Sequence, residues 1–202
     1  MVMKKYTERF RISATSAGRH LTAFFVALFL ITPQGASAAD AYLQAGMAMP
    51  APSGAQKICQ TYAWACAKQG TRRLGSEAEM AIVRDVNRRV NTTTPALSDE
   101  RQYSRSELWS LPTRAGGDCE DFALLKKREL VRLGVDPRRL LLATVLDRRR
   151  VPHAVLVYRS PKGDLLLDNL TDKVVGWRSS GYVFLRMQNP DRPDQWVGGF
   201  RA

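Results

Sequence analysis

Three side chains in this sequence are of the types that together make an activated nucleophile: Cys119, His153 and Asp168. Cys119 follows Gly116-Gly117-Asp118 and opens a stretch whose apolar residues, Phe122, Ala123, Leu125, Leu130 and Leu133, recur at helical spacing. Lys126, Lys127, Arg128 and Arg132 read as its polar face, and Gly134 as its stop. The thiol therefore falls in the first turn of a predicted helix. Unpaired N–H groups and a partial positive charge at a helix start favour a thiolate, and the same N–H groups can bind an oxyanion. Two preceding glycines would let the backbone approach a substrate closely. A lone cysteine is more often a core residue, so the thiol needs a base and an orienting group.

Those two groups come from a predicted hairpin. The sequence has two histidines, His20 and His153. His20 lies in an N-terminal leader, which leaves His153 at the start of a strand, His153 to Tyr158. Ser160-Pro161-Lys162-Gly163-Asp164 reads as a tight turn, and Leu165 to Asp168 as the returning strand. Counting inward from the turn pairs Tyr158 near Leu165 or Gly163 and brings Asp168 to the His153 end. The carboxylate can then orient one ring nitrogen while the other faces Cys119.

The remaining elements frame this constellation. Leu140 to Leu146 predicts a strand before His153, and Tyr182 to Met187 a further one. Ser76 to Val90 predicts a helix, with Ser76 and Glu79 as a capping box. Ser106 to Trp109 reads as a short turn of helix or an extended piece. Helices first and an antiparallel meander after them make an α+β domain.

The first 38 residues read as a signal peptide. A basic start (Lys4, Lys5, Arg9, Arg11, Arg19) precedes the apolar run Leu21 to Ile31, and Ala36-Ser37-Ala38 offers a cleavage site after Ala38. The run is short for a membrane span, which needs roughly 20 residues. Residues 39–57, rich in Ala, Pro and Gly, read as a flexible N-terminal arm, and 58–202 as the catalytic domain. The full chain carries +12; the leader holds five basic side chains and one acid, a net +4, which leaves +8 on the rest. Export argues against a nucleic-acid partner, and the basic clusters lack interleaved stacking aromatics. They read as a solvated face that tolerates an anionic envelope. A periplasmic location also favours disulfides. Cys59 and Cys66 are candidate partners if a loop or helix end lies between them. On one continuous helix they would instead be two small buried residues too far apart to bridge. Pairing them leaves Cys119 as the odd thiol.

The run Gly117-Asp118-Cys119-Glu120-Asp121-Phe122-Ala123, with Lys126 or Lys127 and Leu130 downstream, resembles the bacterial transglutaminase-like cysteine proteinases, the LapG-like group. The likeness continues through Gly134, His153-Ala154-Val155-Leu156 and Leu167-Asp168-Asn169. Upstream, Val86-Asn87, Tyr103, Trp109 and Pro112 also fit. It covers about residues 58 to 190. It implies a papain-like α+β core, a Cys119–His153–Asp168 triad and a protein substrate in the cell envelope, such as a biofilm adhesin, with an inner-membrane regulatory partner. It also implies calcium held by Asp118, Glu120 and Asp121, although the chemistry itself requires no cofactor. The same three acids also suit a helix N-terminus. The turn after the helix offers Asp136, beside Arg138 and Arg139. A monomer is expected. Two other readings keep the fold: a transglutaminase-like acyltransferase or peptidoglycan amidase, and a non-catalytic binding protein. The intact Cys, His and Asp set argues against the last.

Overall fold

The computed structural model describes residues 41–70 and 75–201. The expected leader, its cleavage site, His20 and Arg72-Arg73 lie outside the described residues. Among the described residues no helix is long and apolar enough to cross a membrane.

Among the described residues seven strands form one antiparallel sheet in the order β1-β7-β6-β2-β3-β4-β5. Its centre is the expected meander: β2 (Leu140–Leu146), β3 (Pro152–Ser160) and β4 (Gly163–Asp168). Their continuous apolar runs suit strands covered on both faces. Leu140, Leu142, Ala154, Leu156, Tyr158 and Leu167 pack with the helices. Leu141, Ala143, Val145, Val155, Val157 and Leu166 pack on the other face with Leu43, Trp177 and Phe184. Tyr158 pairs with Leu165, the first of the two registers expected.

Helix α4 (Cys119–Arg132) lies against this sheet and against α2 (Ser76–Thr93). The expected polar face of α4 is corrected here. Lys126 and Lys127 are fully buried, while Leu133, expected on the apolar face, is exposed. A helix covered by the sheet on one side and by α2 and the 63–66 turn on others has little solvent face left. Lys127 is accommodated because its Nζ donates to Gln188 Oε1 at 2.6 Å.

The capping box of α2 is corrected as well. Gly75 caps the helix without a side-chain bond. Glu79 instead points inward, where it pairs with Arg139 Nη1 at 2.7 Å and accepts from the Tyr158 hydroxyl. A half-buried cation and a buried phenol outcompete the local cap.

The segment expected as a flexible arm is tied to the sheet. β1 (Met47–Met49) pairs with β7 (Trp196–Gly198), Leu43 is buried, and the Leu43 N–H donates to Asp164 Oδ2 at 2.8 Å. Ala, Pro and Gly content made it read as loop, but an open sheet edge offers the backbone partners that such a segment lacks locally. β5 (Thr171–Gly176), the short α3 (Asp99–Tyr103) and α5 (Trp177–Ser180) complete the frame, with β6 at Val183–Gln188.

Cys59 and Cys66 are bridged. Cys59 lies in the short helix α1 (Ile58–Thr61) and Cys66 ends a 3-10 turn, Ala63–Cys66. Tyr62 breaks the helix between them, with φ −132° and ψ 80°. The break brings the two Cα atoms to 5.4 Å, where one continuous helix could not hold them.

Candidate active site

The site forms where the start of α4 meets the start of β3. Asp118 is the N-cap of α4, so Cys119 is its first residue. The packing around the site itself requires the two preceding glycines. Gly116 has φ +131°, and a Cβ there would lie 2.3 Å from the Pro95 carbonyl oxygen. A Cβ on Gly117 would meet the Asp121 side chain at 2.6 Å.

His153 is the second residue of β3, opposite Val145 of β2. Asp168 ends β4, and the β3–β4 ladder, from Ser160–Gly163 to Leu156–Leu167, carries both to one end of the sheet. His153 Nε2 lies 2.9 Å from Asp168 Oδ1, with both side chains more than nine-tenths buried. The same oxygen accepts from the Leu170 N–H at 3.0 Å, and Oδ2 accepts from the Tyr182 hydroxyl at 2.6 Å. Asn91 of α2 donates to the Asp168 carbonyl oxygen at 3.0 Å and fixes its backbone. Burial pushes the Asp168 carboxyl up, but the bonds from His153, Leu170 and Tyr182 outweigh it and hold the group below its ordinary value.

The Asp168 carboxylate engages Nε2 of the imidazole, not Nδ1. Cys119 and His153 line the same cleft, about 400 Å³ in volume, with Ser106, Trp109, Thr144, Pro152 and Leu185. The Ala154 backbone N–H, next to the imidazole, favours the thiolate slightly. The thiol donates to Glu120 Oε2 at 3.1 Å. Burial first, and the neighbouring Glu120 second, push the thiol above its ordinary value.

The acidic cluster differs from the expected one. Asp118 and Glu120 converge with Asp99, not Asp121; one oxygen from each of the three lies within 4.8 Å of the others. Asp121 is partly engaged elsewhere: its Oδ1 accepts from the Ser110 N–H at 2.9 Å and from Ser110 Oγ, while its Oδ2 is buried without a hydrogen-bond partner. Among the described residues no cation pairs with this cluster. Arg138 is held by Asp136, and Arg139 by Glu79. Asp99 Oδ1 and Asp118 Oδ1 are buried without a hydrogen-bond partner. Burial and the adjacent Asp118 raise Glu120 to about 8 and raise Asp99 as well. Unpartnered, charge-crowded carboxylate oxygens are the donor set of a hard cation. The residues present fit calcium.

The chain matches the family model of bacterial transglutaminase-like cysteine proteinases over residues 45–198. It belongs to that family. The fold also resembles solved structures of LapG from Legionella pneumophila. The calcium-bound form has a TM-score of 0.52 at 22% identity, covering 73% of this chain and 87% of that one. Another LapG structure gives 0.48 at 24% identity, covering 66% and 80%. The EGTA-treated form gives 0.47 at 23%, covering 69% and 83%. At these identities the likeness speaks to the fold alone. No curated protein sequence matches. The chain is thus a cysteine peptidase with a mixed helical and antiparallel fold. The family match runs over the arm strand as well as the domain expected from residue 58, and this proteinase uses that strand to complete its sheet.

Three residues near the site were not legible in advance. Tyr182 and Asn91 reach Asp168 from other elements, and Asp99 joins the acidic cluster from 19 positions upstream of Asp118. Only a Gly181 turn before a strand hinted at Tyr182.

Proposed function

We propose that this proteinase is exported to the periplasm and hydrolyses a peptide bond in an envelope or surface protein, with Cys119, His153 and Asp168 as its triad. The observation that carries the reading is the buried His153–Asp168 pair at 2.9 Å, whose imidazole lines the same cleft as Cys119. His153 Nδ1 takes the thiol proton, and sulfur attacks the scissile carbonyl carbon. The Cys119 backbone N–H at the open helix start faces the oxyanion. His153 then gives its proton to the departing amine, which leaves a thioester. Water, deprotonated by His153, adds to the thioester, and the thiolate leaves with the acid released. Asp168 holds the imidazole orientation and stabilises its charged form.

The bridged Cys59–Cys66 pair is consistent with an oxidising compartment. An adhesin-like substrate and an inner-membrane regulator follow from the family resemblance, and the chain acts as a monomer. Calcium would be held by Asp99, Asp118 and Glu120. Bound there, the ion would supply positive charge to offset the crowded carboxylates beside the thiol. The calcium-bound LapG structure supports the ion's relevance to this fold.

The test is to incubate the envelope fraction of the producing cell with the purified protein and sequence new protein N-termini by mass spectrometry. Wild type should generate a small set of them, and Cys119→Ala none. Cleavage that persists with Cys119→Ala would overturn the assignment.

A further inference from the structure

Asp168 has a second, chemically distinct partner besides the imidazole. Tyr182 Oη donates to Asp168 Oδ2 at 2.6 Å, while Oδ1 serves His153. The Tyr182 ring also stands edge-on to the imidazole, with centroids 6.0 Å apart at 89°. One side chain thus touches both the orienting carboxylate and the base it orients. We propose that Tyr182 is a positioning residue of the triad, clamping Asp168 through its hydroxyl so that His153 keeps its productive orientation toward Cys119. The proposal rests on the triad reading above.

The fold fixes Tyr182 for this purpose. Gly181, at φ +70°, turns the chain out of α5, and the Tyr182 N–H donates to Ser180 Oγ at 3.1 Å. Arg148 Nε, from the β2–β3 turn, holds the Ser180 carbonyl at 2.7 Å. The next residue, Val183, pairs with Leu146 of β2, and β2 pairs Val145 with His153. The tyrosine is therefore anchored through the same sheet that carries the histidine. A carboxylate fixed at both oxygens cannot rotate about its terminal bond, so the plane of the His153 acceptor is set. Loss of the hydroxyl would leave Leu170 N–H as the only other bond to that carboxylate among the described residues.

A tyrosine that only filled space would act independently of Asp168, and this difference is measurable without knowing the substrate. The readout is the rate of Cys119 alkylation by iodoacetamide, near neutral pH with calcium present, in full-length protein. Wild type, Tyr182→Phe, Asp168→Asn, the double variant and His153→Ala are compared, with thermal melting to confirm folding. Tyr182→Phe keeps the ring and removes one oxygen. A hydrogen bond to a charged acceptor is worth enough to slow alkylation about tenfold in the wild-type background. In the Asp168→Asn background the same change should alter the rate less than about twofold, because the route through Asp168 is already lost. A wild-type rate in Tyr182→Phe, or an equal loss in both backgrounds, overturns the proposal and leaves the triad standing. Alkylation that ignores His153→Ala would instead overturn the triad, and the proposal with it.

Discussion

Cys119 shares its cleft with His153 and donates its thiol hydrogen to Glu120 Oε2 at 3.1 Å. The positions of Cys119, His153 and Asp168, the proposed triad, were each legible from one residue type at one predicted place, because helix start and hairpin register are local properties. The acidic cluster proposed to hold a cation was only half legible. Asp118 and Glu120 flank the thiol, but Asp121, on the same turn, faces Ser110. The third carboxylate comes from Asp99, brought in by the bond from its N–H to Asp118 Oδ2 at 3.1 Å, a tertiary contact without sequence periodicity. The two sets make opposite predictions. Calorimetric titration with calcium should show binding to wild type and to Asp121→Asn, and at least tenfold weaker binding to Asp99→Asn, since charge count tunes such sites. Weakened binding to Asp121→Asn alone would restore the set expected from the sequence.

Among the elements, α4 departs furthest from its sequence pattern. Its length and start were readable from periodicity and Gly134, but two lysines on one polar run gave no sign of burial. Burial lowers both amines from 10.5 to about 7. An unfolded chain then binds protons that the folded one does not between those values, so these amines make stability rise with pH from about 7 toward 10.5. Glu120 and Asp121, raised to about 8 and about 7, act in the opposite sense below pH 8. A variant comparison isolates the lysine. Lys127→Met removes a buried amine while Gln188 Oε1 still accepts from the Leu142 N–H at 3.1 Å. Its stability advantage over wild type should be greatest near pH 7 and shrink by roughly 1 kcal/mol per pH unit toward pH 10. An advantage independent of pH in denaturant melts would contradict a neutralised lysine. β5 went unread for a related reason. Thr171-Asp172-Lys173 is polar, and its strand state is imposed by β4 and by Asn87 and Asn91 of α2, which donate to its backbone.

For the whole domain, the α+β class and the central meander were readable because strands and turns alternate in the sequence. The sheet edges were not. β1 and β7 are three-residue strands whose partners lie at opposite ends of the chain. The Cys59–Cys66 bridge staples the 63–66 turn, which packs on α4 and faces Gln188 through the Ala65 carbonyl. Closing so short a loop is worth about 2–3 kcal/mol. Mild reduction should therefore lower the melting temperature by several degrees, and two more thiols should become reactive; no change in either would argue that the bridge contributes nothing to the domain.

The account depends above all on one pairing, that of Cys119 with His153. Its most direct test is iodoacetamide labelling of the purified protein near neutral pH with calcium, resolved by peptide mass spectrometry, on wild type and His153→Ala. Fast labelling confined to Cys119 and lost in His153→Ala is the predicted result. Equally slow labelling in both would mark Cys119 as an ordinary buried thiol and contradict the triad.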